Sequence, residues 1–377
     1  MRLALRQSRD DGRGRDQIRP CAPPAAAIAS RNTQGIVGTG PRGQPSRSAL
    51  GEVMRILITG AAGMIGRKLV ARLTKDGRLN GKSIAAITLA DVVAAEFPVG
   101  TVALNAHVGD LADAAFVEKL VATKPDVVFH LAGVVSGEAE TNFELGYRVN
   151  LDGTRVLFDA IRLAQIAPRV VFTSSIAVYG APFPAKITDD FLTTPLTSYG
   201  TQKVMSEALL ADYTRRGFFD GIGIRLPTIC VRPGKPNKAA SGFFSNIIRE
   251  PLAGQEAILP VPRDVVHTLA SPRSAVNFLI HAAGLDGAGL GPRRNLNMPG
   301  VGVTVQEQID ALGRVAGAKA VALIKEQPDA AIWAIVKNWP TRFEAKRARD
   351  LGFVCEKTFE EIIRAHIEDE LGGQLPK

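Results

Sequence analysis

From Met54 almost to the C-terminus, short apolar runs alternate with segments whose apolar residues recur every three or four positions. Residues 55–59 (RILIT) have the pattern of a buried strand and end in glycines; Ile65, Leu69 and Leu73 then fall at helical spacing until Asp76-Gly77. Further strands are predicted over 83–89, reaching Asp91, and over 102–108, 127–131 and 170–174. Helices are predicted between them, notably over 113–122 and 149–163. Strands separated by helices form βαβ units, which predicts an α/β fold whose parallel sheet is covered on both faces. Beyond about Pro227 the pattern becomes irregular and rich in Pro and Gly, closing with short helices through 360–370. This predicts a division into 54–226 and a smaller lobe, 227–377, built onto the sheet.

Residues 1–53 break the pattern. They are rich in Arg, Pro, Gly, Ser and Ala, with no hydrophobic periodicity. Prolines interrupt 21–30, so a secretory signal is not expected, and Asp10, Asp11 and Asp16 argue against a mitochondrial presequence. The segment is expected to be a disordered tail or an extension upstream of a natural start at Met54. Its nine Arg against four acids supply +5 of the formal net charge of +9. The remaining basic residues are scattered and not interleaved with aromatics, so a nucleic-acid partner is not expected.

The other totals exclude more than they suggest. With 46% hydrophobic and 22% charged residues, the chain is of ordinary globular type. No stretch approaches the roughly 18 apolar residues that cross a bilayer, so no membrane association is expected. Cys21, Cys230 and Cys355 are few and widely spaced, which favours a reducing, cytoplasmic setting. The five histidines (His107, His130, His267, His281 and His366) lack ligand spacing, so no metal is expected.

Two clusters carry candidate chemistry. Gly60, Gly63 and Gly66 lie where the first strand meets the first helix. Glycines permit a tight turn and let a pyrophosphate approach the backbone at the helix N-terminus. The three-residue spacing is not that of GxGxxG, and such turns also serve plain connections. Asp91 strengthens the reading, because a carboxylate ending the second strand can bind both ribose hydroxyls and repels a 2′-phosphate, which favours NAD over NADP. Asp110, just past the third strand, can meet an adenine edge or cap a helix.

In the second cluster, Tyr199 and Lys203 stand four residues apart at the start of a helix that Pro195 and Ser198 help open. That spacing puts phenol and ammonium on one face, where a cation favours the phenolate and suits the tyrosine to act as a base. Ser174 and Ser175 end the fifth strand, where a hydroxyl can hydrogen-bond a substrate oxygen. Each signal is common alone and gains weight only in company.

TGAAGMIG (59–66), Asp91, GDL (109–111), HLAG (130–133), SSIAVYG (174–180) and SYGTQK (198–203) resemble, in order, the extended short-chain dehydrogenase/reductases. The resemblance covers essentially all of 54–377. It implies a Rossmann-type doubly wound sheet with a C-terminal substrate lobe, a nicotinamide cofactor, and a homodimer as a possible assembly. It also implies that Tyr199 is the catalytic base, that Lys203 holds the nicotinamide ribose and depresses the tyrosine pKa, and that Ser175 is the catalytic hydroxyl, with Ser174 its close competitor. Gly60, Gly63, Met64, Ile65 and Gly66 match the pyrophosphate turn. Asp110, Leu111, Leu131 and Ala132 match adenine and ribose neighbours, and Asn150 resembles a structural asparagine. The stretches 130–155 and 225–256 are most similar to members that oxidise the C2 hydroxyl of a four-carbon sugar acid. A carboxylate substrate needs a cation, for which Arg232, Lys235 and Lys238 are candidates; an ion pair closing the loop is the other use of Arg232. Ser136 and Asn237 are candidate hydroxyl partners. Two alternatives remain: a nucleotide-sugar epimerase or dehydratase that retains its NAD, and a non-catalytic NAD-binding regulator, which could have lost the Tyr, Lys or Ser present here.

Overall fold

The computed structural model describes residues 53–97, 100–234 and 241–375. The expectations for residues 1–52, Lys235, Asn237 and Lys238 lie outside the described residues. Seven parallel strands form the main sheet: β1 (Val53–Thr59), β2 (Lys82–Asp91), β3 (Ala103–Val108), β4 (Val127–His130), β5 (Arg169–Ser175), β6 (Asp220–Leu226) and β7 (Asn295–Asn297). A two-residue strand, Arg78–Leu79, folds back antiparallel on the start of β2. The spatial order is β7-β6-β5-β4-β1-β2-β3. The chain thus runs outward from β1 to β3 and returns to the other side of β1 for β4. That reversal opens a crevice at the carboxyl ends of β1 and β4, the switch point of a doubly wound sheet.

Alternation along the strands feeds two helical layers. Ile56, Ile58, Phe129 and Val171 pack against α1 (Met64–Asp76) and α6 (Pro272–Gly284). Their neighbours Leu57, Val128, Val170 and Phe172 face the other side, with α2 (Ala114–Val121), α3 (Gly153–Ala164) and α4 (Ser198–Arg215). The chain beyond 227 serves both parts of the molecule. Its α6 and β7 complete the main sheet, while α5 (Gly242–Leu252), α7 (Val305–Val321) and α8 (Phe359–Glu370) enclose a separate core of Phe244, Ile247, Ile309, Leu312, Ile362 and Ile363.

One helix differs from its predicted start. The segment predicted over 149–163 opens with a π-helical turn, Tyr147–Asp152, that carries Asn150 into the interior. At α4 the cap is Thr197, whose hydroxyl accepts from the Gly200 N–H, and Ser198 is already helical. No helix among the described residues is long and apolar enough to cross a membrane.

Candidate active site

The turn after β1 is built by contact. Gly60 has φ +73°, and its N–H donates to the Ala90 carbonyl at 2.8 Å. A Cβ on Gly60 would lie 2.6 Å from Ala132 N, and one on Gly66 would lie 2.3 Å from Gly60 O, so packing within the protein requires both glycines. Gly63 differs: a Cβ there would meet only Gly60 O, at 3.3 Å, a contact that a small shift relieves. Gly63 lines a cavity of about 480 Å³ at the switch point, together with Gly60, Met64, Ile65, Gly66 and Leu131. Its bareness keeps that side of the turn open to a ligand. As the N-cap of α1 it has no side-chain partner, so the helix offers its first N–H groups there, a setting suited to a diphosphate.

Asp91 stands beside this turn, half-buried, with Oδ2 accepting from Ala62 N at 2.8 Å and Oδ1 from Val93 N at 3.2 Å. The exposed Val92 and Val93 follow it, with no cation for a 2′-phosphate at either position. Asp110 does not cap α2. Asp113 does, accepting from Ala115 N, while Asp110 closes the preceding turn through Ala112 N at 2.8 Å and pairs with Arg148 at 2.5 Å. Leu111 and Ala132 pack against the core around α2 and α3, and neither they nor Asp110 line the cavity.

Across the cavity, Tyr199, Lys203 and Ser175 converge as expected from the sequence. The Lys203 ammonium is buried, donates to the Thr173 carbonyl at 2.9 Å and lies 5.7 Å from the centroid of the Tyr199 ring. Burial lowers its pKa to about 8, against the opposing charge of Glu207. The two serines face different partners. Ser174 Oγ donates to Glu207 Oε1 at 2.5 Å, and Ser175 is the serine that bears on the ionisation of Tyr199. One expectation is corrected here. Burial raises the Tyr199 pKa above its usual value, and the groups that oppose the rise are Ser175 and Arg232, because the Lys203 ammonium is directed to the Thr173 carbonyl. Asn150 behaves as the structural residue expected: its side chain brackets Val134, accepting from its N–H at 2.9 Å and donating to its carbonyl at 3.3 Å.

Arg232 enters the same cavity from the segment after β6. Its Nε donates to Ile229 O at 3.0 Å and its Nη2 to Ser241 Oγ at 2.8 Å. These two bonds occupy two of its five N–H groups. Burial lowers its pKa, and the charged or ionisable groups that bear on it are Cys230, Tyr199 and Arg249, with no carboxylate among them. The loop-closing ion pair is thus not formed among the described residues. Ser136 lines the cavity at the start of the short helix Ser136–Thr141.

Sequence reasoning missed Thr228 and His267. Thr228 follows β6 directly, and the rule that singled out Ser175 at a strand's carboxyl end applies equally to it. Its hydroxyl is 2.7 Å from His267 Nε2, and the buried imidazole is stacked on Phe244 and packed beside Trp339. Burial holds the His267 pKa near 4, so the ring is neutral at physiological pH. Among the described residues no group of three or more His, Cys, Asp or Glu side chains is gathered to hold a metal ion.

The fold, with Tyr199, Lys203 and Ser175 gathered in one cavity at its switch point, is that of a dinucleotide-binding α/β protein. The model of the NAD dependent epimerase/dehydratase family matches residues 56–273, and the chain belongs to that family. It is 47% identical over 320 residues to D-erythronate dehydrogenase of Cupriavidus necator, covering 84% of this chain and 98% of that protein. It is 38% identical to D-erythronate dehydrogenase of Haemophilus influenzae, covering 84% and 100%. Among solved structures, a nucleoside-diphosphate-sugar epimerase from Agrobacterium tumefaciens superposes with a TM-score of 0.85 at 62% identity, covering 89% of this chain and 99% of that one.

Proposed function

We propose that the protein is an NAD-dependent dehydrogenase that oxidises the C2 hydroxyl of D-erythronate to give 2-dehydro-D-erythronate. The observation that carries this reading is Arg232, a buried cation with no carboxylate partner among the described residues, sharing the cavity with Tyr199. The D-erythronate dehydrogenase relatives supply the length of the acid.

The open face of Gly63 and the carboxylate of Asp91 fit a dinucleotide without a 2′-phosphate. Gly60, Gly63, Met64, Ile65 and Gly66 would hold its diphosphate, Asp91 and Leu131 its adenosine side, and Lys203 and Tyr199 its nicotinamide ribose. When bound, NAD supplies the hydride acceptor. Arg232 takes the C1 carboxylate, which would bring the adjacent C2 hydroxyl beside Tyr199 and Ser175. Tyr199 accepts the hydroxyl proton, and Ser175 donates to the oxygen as it becomes a carbonyl. Arg232 supplies the positive charge that favours the phenolate, while the Lys203 ammonium holds the nicotinamide ribose. Ser136 and Thr228, which line the same cavity, would meet the remaining hydroxyls.

The name of the Agrobacterium structure keeps a second reading, a nucleotide-sugar epimerase with retained NAD. Mixing the purified protein with NAD and D-erythronate and following absorbance at the NADH band separates the two. Net NADH formation supports oxidation of the acid. Interconversion of UDP-glucose and UDP-galactose without net NADH replaces it with the epimerase. The cytoplasm is the proposed setting, supported by Cys230 and Cys355, both free thiols. A homodimer is proposed from the family resemblance and is tested by light scattering.

A further inference from the structure

We propose that Glu207 is a positioning residue of the reaction centre: anchored by Arg225 and Ser174 behind the cavity, its carboxylate keeps Lys203 charged and locks the register in which Ser175 faces Tyr199. The inference rests on the Tyr199–Lys203 chemistry proposed above.

Tyr199, Lys203 and Glu207 recur every four residues along α4 and so share one face of the helix. Glu207 is 4% exposed, and three groups hold its carboxylate. Oε1 accepts from Ser174 Oγ at 2.5 Å and from Arg225 Nε at 2.8 Å, and Oε2 accepts from Arg225 Nη2 at 2.6 Å. The anchor is itself anchored: Arg225 Nη1 donates to the Tyr179 hydroxyl at 2.5 Å, which donates to Asn297 Oδ1 at 2.7 Å. The network ties α4 to β5, β6 and β7. With Ser174 drawn to Glu207, the next residue of the extended chain points the other way, toward Tyr199.

The charge balance around Lys203 is lopsided. The titratable and charged groups packed about it are His130 on β4, Tyr199 and Glu207 on its own helix, Arg225 on β6 beyond Glu207, and Arg232 across the cavity. His130 is buried between Thr59 and Thr154, and its pKa is lowered to about 3, so it is neutral. Glu207 is therefore the anion that sustains the ammonium against burial.

The test is a pH titration of Lys203 by NMR in cofactor-free protein carrying 13C-labelled lysine, with Lys203 assigned by difference from Lys203→Arg. The pH profile of kcat/KM is recorded in parallel. In Glu207→Gln the Lys203 midpoint and the alkaline limb are expected to move down by about one pH unit or more. Glu207→Asp, which keeps the charge, restores most of the shift. Ser174→Ala, which keeps the Glu207 charge, leaves the Lys203 midpoint in place; movement there would assign the shift to disturbed packing and overturn the proposal. An unmoved midpoint in Glu207→Gln also overturns it. Should the single variant not fold because Arg225 is left buried and unpaired, the double variant Glu207→Gln/Arg225→Met is read against Arg225→Met, which lacks the same cation and keeps the carboxylate; an equal Lys203 midpoint in the two overturns the proposal. Full turnover in Tyr199→Phe would instead reject the underlying chemistry, so the two failures are distinguishable.

Discussion

Lys203 Nζ donates to the Thr173 carbonyl at 2.9 Å, tying the first turns of α4 to the carboxyl end of β5. The tie joins residues 30 positions apart and brings Tyr199 to Ser175 across the mouth of the switch point. The chemistry of the site depends on this junction of one helix and one strand.

Replacing the phenol tests the proton acceptor. Tyr199→Phe is expected to lower kcat by about 10²–10⁴-fold, the scale of a lost general base. NAD affinity, measured by calorimetry, should change by no more than a few-fold, since the glycine turn and Asp91 are untouched. Turnover at the level of the parent protein would reject the assignment.

Removing the cation tests the carboxylate clamp. Arg232→Met is expected to raise KM for D-erythronate by about 10–100-fold, the value of a charge-assisted pair, while leaving the Kd for NAD unchanged. Arg232→Lys should recover only part of the loss, because an ammonium cannot reproduce the contact of a planar guanidinium. Unchanged steady-state kinetics in Arg232→Met would remove Arg232 from the site.

Asp91 is the proposed selector between the two dinucleotides. In Asp91→Asn the amide oxygen can still accept from Ala62, but the charge that repels a 2′-phosphate is gone. NAD binding should weaken by about tenfold, and the preference for NAD over NADP should narrow by at least as much. An unaltered ratio of the two dissociation constants would count against this role.

Acid should destabilise the fold through two histidines. The pKa values of His130 and His267 are lowered to about 3 and about 4, both below the unfolded value near 6.5. The unfolded chain therefore binds protons first, and stability present above about pH 6.5 is lost as pH falls through the folded values. Each histidine contributes a slope of up to about 1.4 kcal/mol per pH unit in that window. Urea unfolding between pH 7 and pH 4 measures it, and His267→Asn should flatten the slope.

How far the sequence reveals this molecule depends on how local each signal is. The strand at 55–59, the glycine turn and the Tyr199–Lys203 spacing are legible because each is contained within a few residues. The choice between Ser174 and Ser175 is not, since it is made by Glu207, 33 residues away on another element. The partnership of Thr228 and His267 spans 39 residues, and no nearby pattern announces it. That Arg232 has no carboxylate partner among the described residues is equally hidden, because only the folded chain shows which carboxylates stay away.

Oxidation at C2 of the acid passes the C2 hydrogen to the cofactor as hydride. D-erythronate carrying deuterium only at C2, incubated with the protein and NAD, tests it directly. The reduced cofactor is predicted to contain one deuterium per product formed, with a 2-keto acid as the sole carbon product. Reduced cofactor free of deuterium, or none at all, would contradict the account.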